Sequence, residues 1–216
     1  MDYAYNSNCI LNIDIERLDV YYNLDEYFEI NDTLKYAKVD SDEINNLTLS
    51  QIQLECSVLE NVKFVNCSLE GAYLKDVILN NCDLSNIDLS KSTLKNVEFN
   101  NCKLIGTNLI GSYIDNVYIV YSKANNIVIE DGRISNLTII ESMFKEADFS
   151  NCKLKNNILN NIDFTYANFS NTSLNNVDLT TCNIDGITLY PNDLKGVILT
   201  ECQALRFIKL LGIKIK

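Results

Sequence analysis

The sequence predicts an all-β solenoid of short strands, and the first of three supporting observations is a five-residue register. Every fifth residue from Leu34 to Leu199 is bulky and apolar, apart from Ala124. Neither an amphipathic helix, with a period of about 3.6 residues, nor an alternating strand, with a period of about 2, keeps such a register. The fold must therefore itself repeat.

The second observation is a small or branched residue two positions before most register residues. Cys102 precedes Leu104 in this way, and Ala147 precedes Phe149. Because residues two apart on an extended strand share a face, both members of each pair point inward. The other three residues of each unit turn a corner and meet water.

The third observation is a second period of twenty residues. Asparagine recurs at this spacing, at Asn96, Asn116, Asn136, Asn156 and Asn176. Four five-residue units therefore complete one turn, and residues of the same type stack in successive turns. Stacked asparagine side chains can hydrogen-bond to one another along the axis. At a rise of about 4.8 Å per turn, residues 34–199 form a rod roughly 40 Å long.

Residues 1–33 break the register, and we expect a lead-in coil or cap there. The open end of a stack of strands must be covered to prevent pairing with other chains. An amphipathic lid of tyrosines is the favoured cover, ahead of a ligand site, and its members are Tyr3, Tyr5, Tyr21, Tyr22 and Tyr27.

Six cysteines fall two residues before a register position or its continuation and are predicted to be free thiols in the core: Cys67, Cys82, Cys102, Cys152, Cys182 and Cys202. A disulfide between Cys82 and Cys102, on adjacent turns, is the alternative.

Ala124 is the one small residue of the five-residue register, so it leaves either a void or a slot that its neighbours fill. Its surroundings include Tyr113, Tyr118 and Tyr121, and we expect local repacking there in preference to a binding site.

Residues 200–216 change character and predict a short helix followed by a strand. Ala204, Leu205, Ile208 and Leu211 have helical spacing, and Gly212 is a natural helix stop. So many apolar residues at a chain end suit a dimer interface. The predicted interface residues are Leu205, Phe207, Ile208, Leu210, Leu211, Ile213 and Ile215.

Units such as Glu146-Ala-Asp-Phe-Ser150 and Asn81-Cys-Asp-Leu-Ser85 resemble the pentapeptide repeat A(D/N)LXX. This resemblance implies a right-handed quadrilateral β-helix.

The C-terminal residues Asp185-Gly186, Pro191 and Gln203-Ala-Leu205 are similar to the closing segment of the Qnr-type quinolone-resistance proteins. That likeness implies an end-to-end homodimer and DNA mimicry at bacterial type II topoisomerases. The unbroken register leaves no room for the projecting loops that some Qnr proteins carry.

The composition removes most catalytic chemistry. The chain contains no histidine, which excludes Ser-His-Asp and Cys-His nucleophiles and HExxH zinc sites. It has no phosphate-binding glycine-rich motif, so we expect no cofactor, no metal and no enzymatic activity. Because no apolar run reaches the roughly 18 residues that span a membrane and no leader pattern is present, a soluble, cytoplasmic protein without membrane contact is expected.

The net charge of −11 is unevenly placed, since residues 1–60 hold 13 acidic and 3 basic residues. Sorting the later residues by side of the solenoid predicts a partner-binding acidic side, made of Glu70, Asp88, Glu130, Glu146 and Asp148. The opposite side carries Asp76, Glu98 and Asp178 without a basic residue. Basic residues gather between these two sides: Lys75, Lys91, Lys95, Arg133, Lys153, Lys155 and Lys195.

Two functions are compatible with this pattern. The first is a DNA-mimic partner of gyrase or topoisomerase IV that gives quinolone resistance without contacting nucleic acid itself, since an acidic strip on a rod presents a negative field. The second is a structural or scaffolding rod that binds another protein.

Overall fold

The computed structural model describes residues 13–208, which form a right-handed, four-sided parallel β-solenoid. Strand partners lie twenty residues apart, so Gln53 pairs with Tyr73, Tyr73 with Thr93 and Thr93 with Tyr113. This confirms the predicted fold class and the predicted period. Each turn of twenty residues is called a layer, and each layer has four sides of five residues.

We name the four sides from the layer that contains residues 61–80. The same name applies to the residues that lie twenty, or a multiple of twenty, positions before or after each of these. The acidic side contains residues 66–70, the basic side 71–75, the third side 76–80 and the fourth side 61–65. The third side lies opposite the acidic side, and the basic side lies between them.

The basic and third sides carry most of the regular strands, which lie parallel in one sheet. The strands are β1 (Asp19–Tyr21), β2 (Thr33–Lys35), β3 (Ala37–Asp40), β4 (Glu43–Asn45), β5 (Gln53–Glu60), β6 (Lys63–Val65), β7 (Tyr73–Asn80), β8 (Thr93–Asn100), β9 (Tyr113–Val120), β10 (Arg133–Ser135), β11 (Thr138–Ile140), β12 (Lys153–Lys155) and β13 (Ile158–Asn160). β4 and β6 pair on the fourth side. Elsewhere, the acidic and fourth sides are held by single bridges such as Ser68 with Asp88.

The corners explain why asparagine recurs. Nearly every corner residue has a positive φ, between 47° and 63° for the non-glycine residues. Asparagine tolerates this left-handed conformation better than most residues. The predicted asparagine ladder forms in pieces: Asn116 Nδ2 donates to Asn96 Oδ1 at 2.9 Å and Asn156 Nδ2 to Asn136 Oδ1 at 3.4 Å, but Asn136 donates to Asp115 instead.

The register residues fill one continuous core along the rod. Its densest part contains the rings of Phe144, Phe149, Phe164 and Phe169, with Phe149 stacked on Phe169 at 5.1 Å between ring centroids. Ala124 is fully buried and lies one layer below Phe144 in the same column. The small residue is therefore part of the core and not open to a ligand.

The N-terminal part of the described chain covers one end of the rod. A 3₁₀ turn at Ile15–Arg17 leads into β1, which pairs with β3, and helix α1 (Leu24–Phe28) follows. Leu24 and Phe28 are buried in the core. Of the predicted tyrosine lid, Tyr21 and Tyr27 pack on the core while Tyr22 is 73% exposed; Tyr3 and Tyr5 lie outside the described residues.

Helix α2 (Glu201–Phe207) covers the other end. Thr200 caps it through a capping box with Gln203. The buried Gln203 Nε2 donates to Leu179 O at 2.8 Å and to Cys182 O at 3.0 Å, which satisfies carbonyls of the last full layer. The predicted helix is thus present, whereas the predicted terminal strand lies outside the described residues.

Cys202 corrects one cysteine prediction. Five of the six in-frame cysteines are buried and free, but Cys202 is exposed. The reason is that the chain leaves the solenoid at α2, so the five-residue register no longer decides which side chains point inward. Cys82 and Cys102 are free thiols, so the alternative disulfide is absent.

The hydrogen-bond ladder is interrupted at one place. Residues 153–160 pair with the layer below, but among the described residues no backbone hydrogen bond joins them to residues 173–180 above. The acidic and fourth sides of the same layers stay closed, since Phe149 N–H donates to Asn168 O and Phe164 N–H to Asn183 O, both at 2.8 Å. We call the opening between residues 153–160 and 173–180 the seam.

Candidate functional site

The five residues predicted as the acidic side do lie on one side of the rod. Each occupies a position that faces outward or forms a corner, while the inward positions of that side hold apolar residues apart from the buried Thr107. Glu146 is exposed and the other four are half-buried. The solenoid thus presents carboxylates along an otherwise uncharged surface.

Asp88 and Asp148 are held rigidly by their own turns. Asp88 Oδ1 accepts a hydrogen bond from Ser90 N–H at 2.9 Å, and Asp148 Oδ1 accepts one from Ser150 N–H at 2.8 Å. Asparagine side chains one layer above also donate to each of them, from Asn108 at 3.1 Å and from Asn168 at 3.2 Å. Each carboxylate therefore keeps a fixed position without a cationic partner.

Glu70 is different, because it forms an ion pair. Lys91 Nζ lies 2.6 Å from Glu70 Oε1, across the corner between the acidic and basic sides. The pair borders an open groove of about 700 Å³ that Gln51, Gly71 and Tyr73 also line. Assigning each residue to a single side missed this contact, although the spacing of 21 residues recurs at other corners, as between Asn151 and Glu130.

The corner between the acidic side and the basic side has more negative charge than predicted. Glu130 and Glu146 accept hydrogen bonds from the amides of Asn151 at 3.3 Å and Asn126 at 3.1 Å. Asp131, which the side-by-side sorting left out, is exposed at the corner next to Glu130.

This local charge acts on the buried Cys152 thiol. Burial raises the pKa of Cys152 to about 12, and the nearby carboxylates of Asp148, Asp131 and Glu130 contribute to the rise. The negative field of this part of the rod therefore reaches into the core.

The third side is not a second acidic strip. Glu98, expected to be part of one, is only 5% exposed and lies between Ile78 and Tyr118 in the sheet. Asp76 accepts a hydrogen bond from Asn96 Nδ2 at 2.6 Å and lies 3.9 Å from Lys75 Nζ. Of the predicted set, Asp178 alone is exposed.

The basic side brings its predicted cations together, although Asp115 and Asp131 also lie on it, and the cations of its upper part form no ion pair within the described residues. Lys95, Arg133, Lys153 and Lys155 are exposed and form no ion pair with any residue between 13 and 208. Charges of opposite sign therefore lie on neighbouring sides of one rod.

The charge density sets a limit on mimicry of nucleic acid. The five carboxylates extend over four layer steps, roughly 19 Å at about 4.8 Å per step. B-DNA carries a charge for about every 1.7 Å of its axis, so the same length of duplex holds roughly twice as many charges. The acidic side therefore has roughly half the charge density of duplex DNA.

The predicted dimer residues divide into three groups. Leu205 is 56% exposed on α2, and Ile208 is half-buried beside it. Phe207 is only 6% exposed because it packs into the core of its own chain, which corrects its assignment to an interface. Leu210, Leu211, Ile213 and Ile215 lie outside the described residues.

Residues 13–208 contain neither a metal-binding cluster nor a membrane-spanning helix. No group of three or more cysteine or carboxylate side chains in this range is arranged to hold a metal ion. Nor does any helix in the described part of the chain have the length and apolar character needed to cross a bilayer.

Comparison with known families agrees with the geometry. A model described as a pentapeptide repeat region matches residues 52–129, and a model of eight pentapeptide repeats matches residues 143–186. The chain belongs to the pentapeptide repeat family. No curated protein sequence shows a significant match to this pentapeptide repeat protein.

Several solved structures resemble it at low identity. A trypsin-treated variant of QnrB1, a plasmid-mediated fluoroquinolone resistance protein, is 22% identical over 87% of this chain and 94% of that chain, with a TM-score of 0.42. HetL from the cyanobacterium Nostoc sp. strain PCC 7120, which is involved in regulating heterocyst differentiation, is 17% identical over 82% and 95% of the two chains, with a TM-score of 0.35. Rfr23 from the cyanobacterium Cyanothece 51142 is 15% identical over 82% and 98%, with a TM-score of 0.25.

Proposed function

We propose that this pentapeptide repeat protein is a non-enzymatic DNA mimic whose acidic side binds the positively charged DNA-binding surface of a type II topoisomerase, either gyrase or topoisomerase IV. The observation that carries the proposal is a set of carboxylates fixed along one side of a rod, two of them hydrogen-bonded to their own backbone turns. The resemblance of the closing segment to Qnr-type proteins supports the choice of partner, which is cytoplasmic, and a role in quinolone resistance.

The rigidity of the rod favours such binding. Carboxylates that are already ordered avoid the entropy loss that a flexible acidic tail pays on binding. Exposed charges are screened over roughly 8 to 10 Å at physiological ionic strength, so the affinity falls as salt rises. Since the ion pair with Lys91 neutralises Glu70, the contact centres on Asp88, Glu130, Glu146 and Asp148.

We also propose that two chains join end to end through residues 200–216. Leu205 supplies exposed apolar surface on α2 at the end of the rod. A dimer of this kind doubles the length of the acidic surface.

A gyrase supercoiling assay with purified protein, with and without ciprofloxacin, tests the proposed partner. The decisive variant carries Asp88→Asn, Glu130→Gln, Glu146→Gln and Asp148→Asn. Asparagine keeps the turn hydrogen bond, because Asn108 Oδ1 already accepts the equivalent bond from Ile110 N–H at 3.0 Å. The variant therefore stays folded, and we expect it to lose any effect on gyrase.

The matched control neutralises the basic side with Lys95→Gln, Lys153→Gln and Lys155→Gln, and we expect it to retain activity. Equal loss in both variants would show that net charge and not the acidic side is responsible. If the unmodified protein neither inhibits supercoiling nor protects it from the drug at micromolar concentration, the proposal fails.

The second candidate is a structural or scaffolding rod with another protein partner. It is favoured by the absence of any inserted loop between residues 34 and 199 and by the low charge density of the acidic side. Failure of the gyrase assay, with the rod folded, is the result that supports it.

A further inference from the structure

The seam leaves one strand edge of the solenoid unpaired, two layers from the end that α2 covers. In the layer below, Lys153 N–H donates to Gly132 O at 3.0 Å and Asn136 N–H to Lys155 O at 2.9 Å. Among the described residues, the equivalent bonds one layer higher, from Ser173 N–H to Cys152 O and from Asn156 N–H to Asn175 O, are missing. Backbone donors and acceptors of β12 therefore point into the seam without a protein partner.

One inward column of the third side has an exception in this layer. Valine or leucine occupies the column at positions 77, 97, 117, 137 and 177, but position 157 is asparagine. Ser57, lower in the same column, keeps its pairing with Val77, and its hydroxyl both accepts and donates a hydrogen bond. Asn157 Oδ1 accepts a hydrogen bond from Leu137 N–H at 3.0 Å, whereas its Nδ2 is buried without a partner. A buried amide without a partner is unfavourable, and it occurs in the same layer that lacks ladder bonds to the described residues 173–180.

The core beneath the seam is apolar and partly open. Leu154 and Leu159 are register residues, yet both are only half-buried. A cavity of about 10 Å³ lies beside them, lined also by Phe149, Asn157 and Phe164. A water molecule needs at least two polar partners, and apart from Asn157 the side chains that line this cavity are apolar. The cavity is also too small to hold a side chain, so apolar residues of a partner would pack on the half-buried Leu154 and Leu159 at the seam.

The charges at the rim select the kind of partner. Lys153 and Lys155 flank Leu154 on the outer surface of β12, and Arg133 lies one layer below. All three are exposed and form no ion pair within residues 13–208. A strand that entered the seam would place alternate side chains inward, against leucine, and outward, beside these cations.

We propose that the seam is a docking site for an extended segment of a partner protein in which apolar and acidic residues alternate. The segment adds to the unpaired edge of β12 as an extra strand. Main-chain hydrogen bonds provide affinity in such strand addition, and alternate side chains provide specificity. This site uses the basic and third sides, so it is separate from the acidic side and can act with or without a topoisomerase partner.

Binding of short synthetic peptides to the full chain tests the proposal. The probe is a fluorescein-labelled, blocked peptide of alternating valine and glutamate, six residues long, measured by fluorescence anisotropy. We expect a lysine–valine peptide to bind at least tenfold more weakly. A glutamate–valine peptide that is N-methylated on the pairing edge should lose at least tenfold as well, because it cannot form the ladder.

Variants locate the binding site. Lys153→Glu with Lys155→Glu should reverse the preference between the two peptides. The matched control, Lys75→Glu with Lys95→Glu, lies on the same side where the ladder is complete, and it should leave binding unchanged. Asn157→Val restores the apolar column, closes the seam, and should reduce binding at least tenfold.

Hydrogen exchange of the free protein provides an independent check. The amides of Leu154, Asn156 and Leu159 should exchange quickly and become protected when the glutamate–valine peptide binds. Three results would overturn the proposal: exchange at these amides as slow as in β8, equal binding of the N-methylated peptide, or equal loss in the control variant.

Discussion

The replacement Phe149→Ala tests the packing that holds the rod together. Phe149 is 3% exposed and occupies a register position in the densest part of the core. Its ring stacks on Phe169 at 5.1 Å with an interplanar angle of 4°, and meets Phe164 edge-on at 5.9 Å and Phe144 at 6.0 Å. The change therefore removes a side chain that three other rings contact.

The expected loss of stability follows from these contacts. Truncating a buried phenylalanine to alanine costs about 3 to 5 kcal/mol, including the cavity that remains. Each aromatic pair contributes about 0.5 to 1.5 kcal/mol beyond the area it buries. Because the neighbouring rings are fixed in layers that hydrogen bonds hold in register, they cannot collapse far into the space. We therefore expect a loss in the upper half of the range, about 4 to 5 kcal/mol.

Urea unfolding, followed by far-ultraviolet circular dichroism, measures this loss. The matched control is Tyr121→Asn, at a corner where the ring is 60% exposed and φ is 54°. Asparagine accepts that conformation, so the free energy of unfolding should change by no more than about 0.5 kcal/mol. A loss below about 1 kcal/mol for Phe149→Ala would show that the inward register is wrongly assigned.

Two other measurements test the ends of the rod and its thiols. At pH 8 a thiol reagent should label Cys202 quickly and Cys152 only after denaturation, because burial raises the pKa of Cys152 to about 12; rapid labelling of Cys152 in the native protein would contradict its position in the core. In sedimentation, the full chain should have twice the mass of one chain, and removal of residues 209–216 together with Leu205→Glu should give folded monomers. A dimer that survives both changes would place the interface elsewhere.

The repeat could be predicted from sequence because geometry enforces it at every layer. A five-residue side has room for one large inward residue and one smaller one. The inward orientation of Leu104 and Cys102 could therefore be predicted from their size and spacing alone. The twenty-residue period follows from the same constraint. Both were confirmed, as was the helix after Leu199.

The errors arose where a residue depends on contacts outside its own side. Lys91 reaches across a corner to Glu70, which sorting by sides could not show. Glu98 faces outward in the strand pattern, yet it is buried between its sheet neighbours Ile78 and Tyr118. The exposure of Cys202 and the burial of Phe207 depend on how α2 settles on the last layer, and neither follows from the register.

The seam shows a further limit of pattern reading. Asn157 was visible as the one amide in a column that holds valine or leucine at its other positions from 77 to 197, and such an exception indicates a local change. The layer can either keep its strand pairing and accommodate the polar side chain, or lose the pairing. Which of the two occurs depends on the contacts of the whole layer. Only the missing ladder bonds above residues 153–160 decide between the two.

The four-sided layer also constrains how a gene for such a rod can grow. Duplication of one whole layer lengthens the protein and leaves every side chain above it on its original side. Duplication of a single five-residue unit between Asp88 and Glu130 preserves the core equally well. It moves every residue above the added unit to the neighbouring side of the rod. The carboxylates of Glu130, Glu146 and Asp148 would then leave the side that holds Asp88. Selection for a continuous acidic surface would thus favour whole-layer changes, whereas selection for folding alone would accept either.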